Sequence, residues 1–220
     1  MSLARQIEFD PEQPKTRVNF SIFHEITHTF FPDCYETVRH RRLHPVNRDP
    51  DFELELLCDL GAAELLMPAD FFVADLIRLG RSQSATKELT ARYSTSSEAV
   101  LIRMAQMSPV ACAVVFLSEK LKPSEQRAAA TQELSLGLAP ITAKLRVDYV
   151  RASSSFPIFI PQDKSVPTGS VAYSCTESGE IATAVEKWDI HGFGAWTVQA
   201  VELPRIGISR RRVAALVIAS

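Results

Sequence analysis

Residues 16–31 read TRVNFSIFHEITHTFF and residues 51–68 read DFELELLCDLGAAELLMP. In the first run Phe23, Ile26 and Phe30 recur at helical spacing, Ile22 lies beside them, and Pro32 stops the helix. The second run is a stronger helix that ends at Met67-Pro68. Pro68-Ala69-Asp70 then starts a third, FFVADLIRL, which closes near Gly80. Inside the first helix stands His24-Glu25-Ile26-Thr27-His28. Residues four apart on a helix share a face, so both imidazoles can reach one metal ion. Glu25 sits next to that face, placed to take a proton from water at the metal and pass it to a leaving amine. Zinc is the expected ion, because it lowers the pKa of such a water to about 7.

A catalytic zinc takes three protein ligands and keeps one position open. On the second helix Glu53, Glu55, Asp59 and Glu64 are the candidates for the third ligand. Glu55 and Asp59 are four apart and share a face, so one can bind the metal while the other hydrogen-bonds a histidine ligand. Glu64 is followed directly by Leu65-Leu66-Met67, and reads as a helix-surface charge or a partner for the basic loop Arg39-His40-Arg41-Arg42. That loop, with His44, is expected to be solvated. Tyr35, His40 and His44 are the nearest candidates for stabilising a transition state.

Beyond Gly80 the segment 84–107, SATKELTARYSTSSEAVLIRMAQM, reads as helix, tight polar turn, helix, with Thr95 and Glu98 at capping-box spacing. If it read DNA, Lys87, Arg92 and Arg103 would contact phosphates. Glu88 and Glu98 and the acidic chain favour a helical hairpin packed on the core. Between Ser118 and Leu138 lies a polar, Ala-rich stretch, helical or a linker. Strand candidates follow: ACAVVFL (111–117), KLRVDYVRA (144–152), FPIFI (156–160), SVAYSC (170–175), EIATAVEKW (180–188), AWTVQAV (195–201) and RVAALVI (212–218). Several alternate apolar with polar, as in a sheet with one solvated face. His191 reads as a turn residue, and Arg210-Arg211-Arg212 as an exposed turn before the last strand.

The 220 residues are 46% hydrophobic and 23% charged, which is ordinary globular usage. A net charge of −2 argues against general affinity for nucleic acid or anionic membrane. No run has the length of a membrane span, and MSLARQIEFDPEQP has no apolar core, so no signal peptide is expected. Cys34, Cys58, Cys112 and Cys175 are scattered singly and read as reduced thiols of a cytoplasmic protein.

The run FSIFHEITHTFFPD, followed after a loop by ELLCDLGAAELLMP, resembles the ImmA/IrrE family of bacterial metallopeptidases, across residues 17–70. Typical members pair an FSxxHExxH helix with a helix of the form E-x-x-C/A-N-x-F-A-x-E-L-L-M-P. The resemblance implies His24, His28 and Glu55 as zinc ligands, Glu25 as catalytic base and Asp59 as a partner in the outer shell. Asp59 occupies a slot usually held by Asn, and Gly61 one usually held by Phe. The Phe-to-Gly change is expected to remove packing and to weaken the helix interior by roughly 0.5–1 kcal/mol relative to Ala. Peptidases of this arrangement bind an extended substrate along the edge of a small sheet preceding the HExxH helix. Here QIEF (6–9) reads as at most one short strand, so a truncated or differently assembled groove is expected.

The expectation is therefore an α+β chain. A helical zinc-peptidase domain over 1–108 includes the helix-turn-helix-like segment at 84–107. A connecting segment covers 109–139, and a β-rich domain 140–220 is GAF-like, as the sensing domain is in some members of the family. The resemblance implies a protein substrate, a helix-turn-helix repressor whose cleavage derepresses stress-response or mobile-element genes. The rival of another class is a transcriptional regulator or interaction module that keeps the zinc site without turnover. A third is a toxin–antitoxin or phage-linked interaction protein.

Overall fold

The computed structural model describes residues 6–31, 50–132, 141–203 and 211–219. Tyr35, His40, His44, Cys34, Arg210 and the loop Arg39–Arg42 lie outside the described residues. The described elements run α1 (Lys15–His28), α2 (Pro50–Leu66), α3 (Ala69–Leu79), α4 (Gln83–Tyr93), α5 (Ser97–Met107), β1 (Cys112–Lys120), α6 (Pro123–Gln132), β2 (Lys144–Ala152), α7 (Val171–Ser178), β3 (Ala182–Glu186), β4 (Trp196–Leu203) and β5 (Arg212–Ala219). The chain is α+β, with the helices α1–α5 first and the sheet after them. It divides into two units, Met1–Gly80 with Ala85–Arg103, and Arg81–Ser84 with Met104–Ser220. Among the described residues no helix is long and apolar enough to cross a membrane, and residues 6–14 contain no strand.

In the first unit the helix ends are set by local chemistry. Pro14 precedes α1 at φ −53°, and the Thr29 and Phe30 N–H groups close the last turn on the Ile26 and Thr27 carbonyls. Met67, preceding a proline, is biased away from helical backbone, and α2 stops at Leu66. Pro68 begins the next helix, where the Ala69 N–H is left without an intrahelical partner. Glu64 Oε1 reaches forward and accepts from that N–H at 2.7 Å. Gly80, at φ +77°, ends α3 in a conformation that favours glycine.

Arg103 on α5 is 5% exposed. Its Nε and Nη2 donate to the Met67 carbonyl at 3.1 and 2.9 Å, and Nη2 also donates to Glu64. One guanidinium thus satisfies the end of α2 and pairs with the residue that caps α3. Burial would raise the Glu64 carboxyl, but the Ala69 N–H and Arg103 outweigh it and hold it below its ordinary value. Arg103 is therefore a structural cation and not a phosphate contact. Glu64 is the helix-surface charge expected, exposed, with Arg103 as its partner, and it stands engaged away from the histidines.

Asp75 on α3, 6% exposed, accepts from Tyr93 Oη at 2.8 Å. Arg92 Nε lies 2.7 Å and Arg78 Nη2 3.3 Å from its oxygens. Burial pushes this carboxyl up, but the Tyr93 and Arg78 hydrogen bonds and the two positive charges prevail and hold it low. Arg92 is thereby paired with Asp75 while its side chain stays exposed, as that of Lys87 does. The α4–α5 turn puts Ser94 at φ 49°, and the helix start is capped by Ser96, whose Oγ accepts from the Ala99 N–H at 3.1 Å. The hydroxyl of Thr95, expected to cap, is buried without a hydrogen-bond partner.

In the second unit the strands form one antiparallel sheet of order β2-β1-β5-β4-β3. The expected alternation appears on edge strand β3. Central β1 and β5 are buried on both faces, which is why ACAVVFL and RVAALVI read as unbroken apolar runs. One face packs Val115, Val147, Val198 and Val217 against Ile160, Trp188 and Phe193. SVAYSC is not a strand: Ser170 Oγ accepts from the Ala172 N–H, Gly179 at φ 71° ends the turn run, and the segment is helix α7. FPIFI is also not a strand, and its Ile160 reaches the core from a loop. The polar Ala-rich stretch holds helix α6, fastened by buried Arg146, whose Nη2 donates to both Glu125 oxygens at 2.7 and 3.0 Å. His191 lies exposed in a turn.

Arg103→Ala is expected to cost about 2–3 kcal/mol in urea unfolding, because the Met67 carbonyl and Glu64 lose a charged donor. Arg103→Lys should recover little of this, lacking the fork that serves both. The depressed Asp75 and Glu64 carboxyls bind fewer protons folded than unfolded, so their stabilisation is present above the ordinary carboxylate pKa and is lost as pH falls below about 4. Thermal melts in chelator should show that loss, and Asp75→Asn should flatten it while lowering stability at neutral pH.

Candidate metal centre

Helix α1 places His24 and His28 one turn apart, and α2 does the same for Glu55 and Asp59. The two helices pack along each other, and the facing pairs meet. His24 is 5% exposed, His28 and Glu55 are half-buried and Glu25 is exposed. His24 Nε2 lies 3.2 Å from Glu55 Oε2 and 3.1 Å from His28 Nε2. His28 Nε2 lies 3.4 Å from Glu55 Oε1. The donor atoms of His24, His28 and Glu55 all fall within 4.8 Å of one another.

The other ring nitrogen of His24, Nδ1, is 2.9 Å from Asp59 Oδ1. A carboxylate can only accept there, so Nδ1 carries the proton and Nε2 is left with its lone pair toward Glu55 and His28. The imidazole is thus held in one tautomer and one orientation by a carboxylate behind it, as the histidine ligands of metal sites are.

Three acceptor groups crowded this closely repel one another unless a cation or proton is shared among them. Metal–ligand bonds of about 2.0–2.1 Å at tetrahedral angles put donor atoms about 3.3–3.4 Å apart. The distances of 3.1, 3.2 and 3.4 Å sit close to that spacing. The donor set, two imidazoles and a carboxylate, suits a divalent transition metal with a fourth position open. Of the other acidic candidates on α2, Glu53 is exposed and Glu64 is engaged with Arg103 and the Ala69 N–H.

Gly61 corrects one expectation. A Cβ added there would meet Thr27 Cγ2 at 2.3 Å. The slot has no unfilled space, because Thr27, 3% exposed, already occupies it. A Phe at 61 could not stand against Thr27. Thr27 carried no recognisable signal in the sequence, since its importance depends on a residue of another helix.

The model of the IrrE N-terminal-like domain, peptidase family M78, matches residues 2–105. The chain is 26% identical over 192 residues to the radiation response metalloprotease IrrE of Deinococcus deserti, covering 78% of this chain and 65% of the relative. It is 28% identical over 163 residues to the protein of the same name from Deinococcus radiodurans, covering 67% of this chain and 45% of the relative. The chain thus spans about two thirds and less than half of these relatives' lengths. Among solved structures, a Mycobacterium tuberculosis transcriptional regulator shares the fold with a TM-score of 0.50 at 11% identity, over 77% of this chain and 46% of that one. Residues 2–105, which hold both helices of the candidate metal centre, thus match the IrrE N-terminal-like domain of the ImmA/IrrE family.

Proposed function

We propose that the chain is a zinc-dependent endopeptidase that cleaves another protein. The observation that carries this is the convergence of His24, His28 and Glu55 at tetrahedral donor spacing, with Asp59 fixing the His24 tautomer and exposed Glu25 beside them. His24, His28 and Glu55 would hold the ion. Bound zinc polarises a scissile carbonyl and makes water a nucleophile at neutral pH. Glu25, one residue along from His24 and open to solvent, accepts the proton of the attacking water and returns it to the leaving amine. Asp59 keeps the His24 ring from rotating. The match of residues 2–105 to the family model and the name of the two curated relatives, radiation response metalloprotease, support the peptidase reading.

The substrate under this proposal is a helix-turn-helix repressor, and its cleavage releases stress-response or mobile-element genes in the cytoplasm. The second unit serves as a GAF-like sensing domain, supported by its single antiparallel sheet with α7 against it. Of the cations in 84–107 that DNA contact would use, Arg103 is buried and Arg92 is paired with Asp75, which leaves Lys87 and the exposed side of Arg92.

Purified protein should carry about one zinc per chain, falling to background in His24→Ala. Asp59→Ala should keep the three donors and weaken zinc binding by about 10–100-fold. Co-expressed with a repressor encoded beside it, the wild type should cleave, and Glu25→Gln should retain zinc yet lose about 10²–10⁴-fold in rate. Cleavage undiminished in Glu25→Gln would defeat the assigned base; zinc bound without cleavage of any such repressor would favour the non-catalytic regulator.

A further inference from the structure

We infer that Thr27 and Gly61 are a positioning pair, which sets the α1–α2 separation at which the carboxylates of α2 reach the histidines of α1. The inference rests on the metal-centre assignment above. Of the three residues between the histidines, Glu25 is exposed, Ile26 half-buried and Thr27 buried. Thr27 meets Gly61 so closely that a Cβ at 61 would lie 2.3 Å from its Cγ2, 3.0 Å from its Oγ1 and 3.3 Å from its Cβ.

Neither side can readily give way. Thr27 is β-branched and stiff at χ1 within a helix, and its hydroxyl donates to the Phe23 carbonyl at 2.9 Å. Gly61 lies in the interior of α2, where glycine weakens a helix, and its φ is not positive, so its backbone gives no reason for glycine. The reason is the approach of Thr27. Gly61 is two residues from Asp59 and so about 3 Å from it along the helix axis. Relieving a 2.3 Å contact to ordinary van der Waals distance would move the helices apart by about 1 Å there. The His24–Asp59 hydrogen bond, now 2.9 Å, and the 3.2 and 3.4 Å separations to Glu55 would all open by a similar amount. At about 3.9 Å the first is no longer a hydrogen bond, and the imidazole loses its fixed tautomer.

The test is a double-mutant cycle in the full chain over Gly61→Ala and Thr27→Ala. Its readouts are Zn²⁺ affinity by chelator competition, the Co²⁺ absorption spectrum and the melt of the metal-free protein. Gly61→Ala alone should weaken Zn²⁺ binding by about 10–100-fold and distort the tetrahedral Co²⁺ bands while the helical circular dichroism is kept. Adding Thr27→Ala should restore affinity to within about threefold of wild type and recover the spectrum. In the metal-free melts Gly61→Ala should lower Tm in the wild-type background and raise it in the Thr27→Ala background, where helix propensity alone remains. Unchanged Zn²⁺ affinity in Gly61→Ala would overturn the pair while leaving the metal centre standing. Loss that Thr27→Ala does not rescue would overturn it too, since the effect would not come from this contact. Wild type that binds neither ion would overturn the metal centre and the positioning role together, with the melts still reporting whether the two side chains collide.

Discussion

The close approach of α1 to α2 is the constraint on which the site depends. At this separation two residues of each helix, spaced one turn apart, face each other, and four polar side chains meet within hydrogen-bonding distances. Such a group would not be stable as a set of bare acceptors. The Asp59–His24 bond relieves it on one side, and a cation held among His24, His28 and Glu55 would relieve it on the other. Thr27 and Gly61 lie within the same contact, so the chemistry and the packing are not separable there.

The rest of the first unit holds α2 in place. Glu64 caps α3 across Pro68 and pairs with Arg103 of α5, which also satisfies the Met67 carbonyl just past α2. Asp75 ties α3 to α4 through Tyr93 and Arg92. Arg103 and Asp75 are buried charges with several partners each, and the Arg103–Glu64 pair holds α2 at its C-terminal end, while the candidate metal centre lies toward its middle. The helix that carries Glu55 and Asp59 is therefore set at both places by polar contacts whose loss leaves something unpaired.

Much of this was legible along the chain because its periods are local. Helical spacing, Pro68 and Gly80 mark α2 and α3 within a residue or two of their observed ends, whereas α1, read through Phe31 to the stop at Pro32, ends at His28. The pairing of His24 with His28, and of Glu55 with Asp59, follows from the helical repeat alone. The errors fall where a local pattern has two outcomes. SVAYSC alternates as a strand would, but Ser170 and Gly179 are also a helix's start and stop, and the helix prevailed. Thr95 and Glu98 have the spacing of a cap, yet Ser96, one residue on, caps α5. Arg103 resembled a surface cation because nothing near it in sequence announces its acid partner 39 residues earlier.

The sequence by itself determined which residues could ligate a metal, and on which faces of which helices they stand, because the helical repeat carries that information from neighbour to neighbour. Only the tertiary structure decided that Glu55 meets the two imidazoles, that Asp59 stands behind His24, and that Glu64 faces Arg103 instead. Only it gave Gly61 a reason, in the methyl group of Thr27. Those outcomes depend on the distance and rotation between helices, which many side chains set together and no short stretch of the chain encodes.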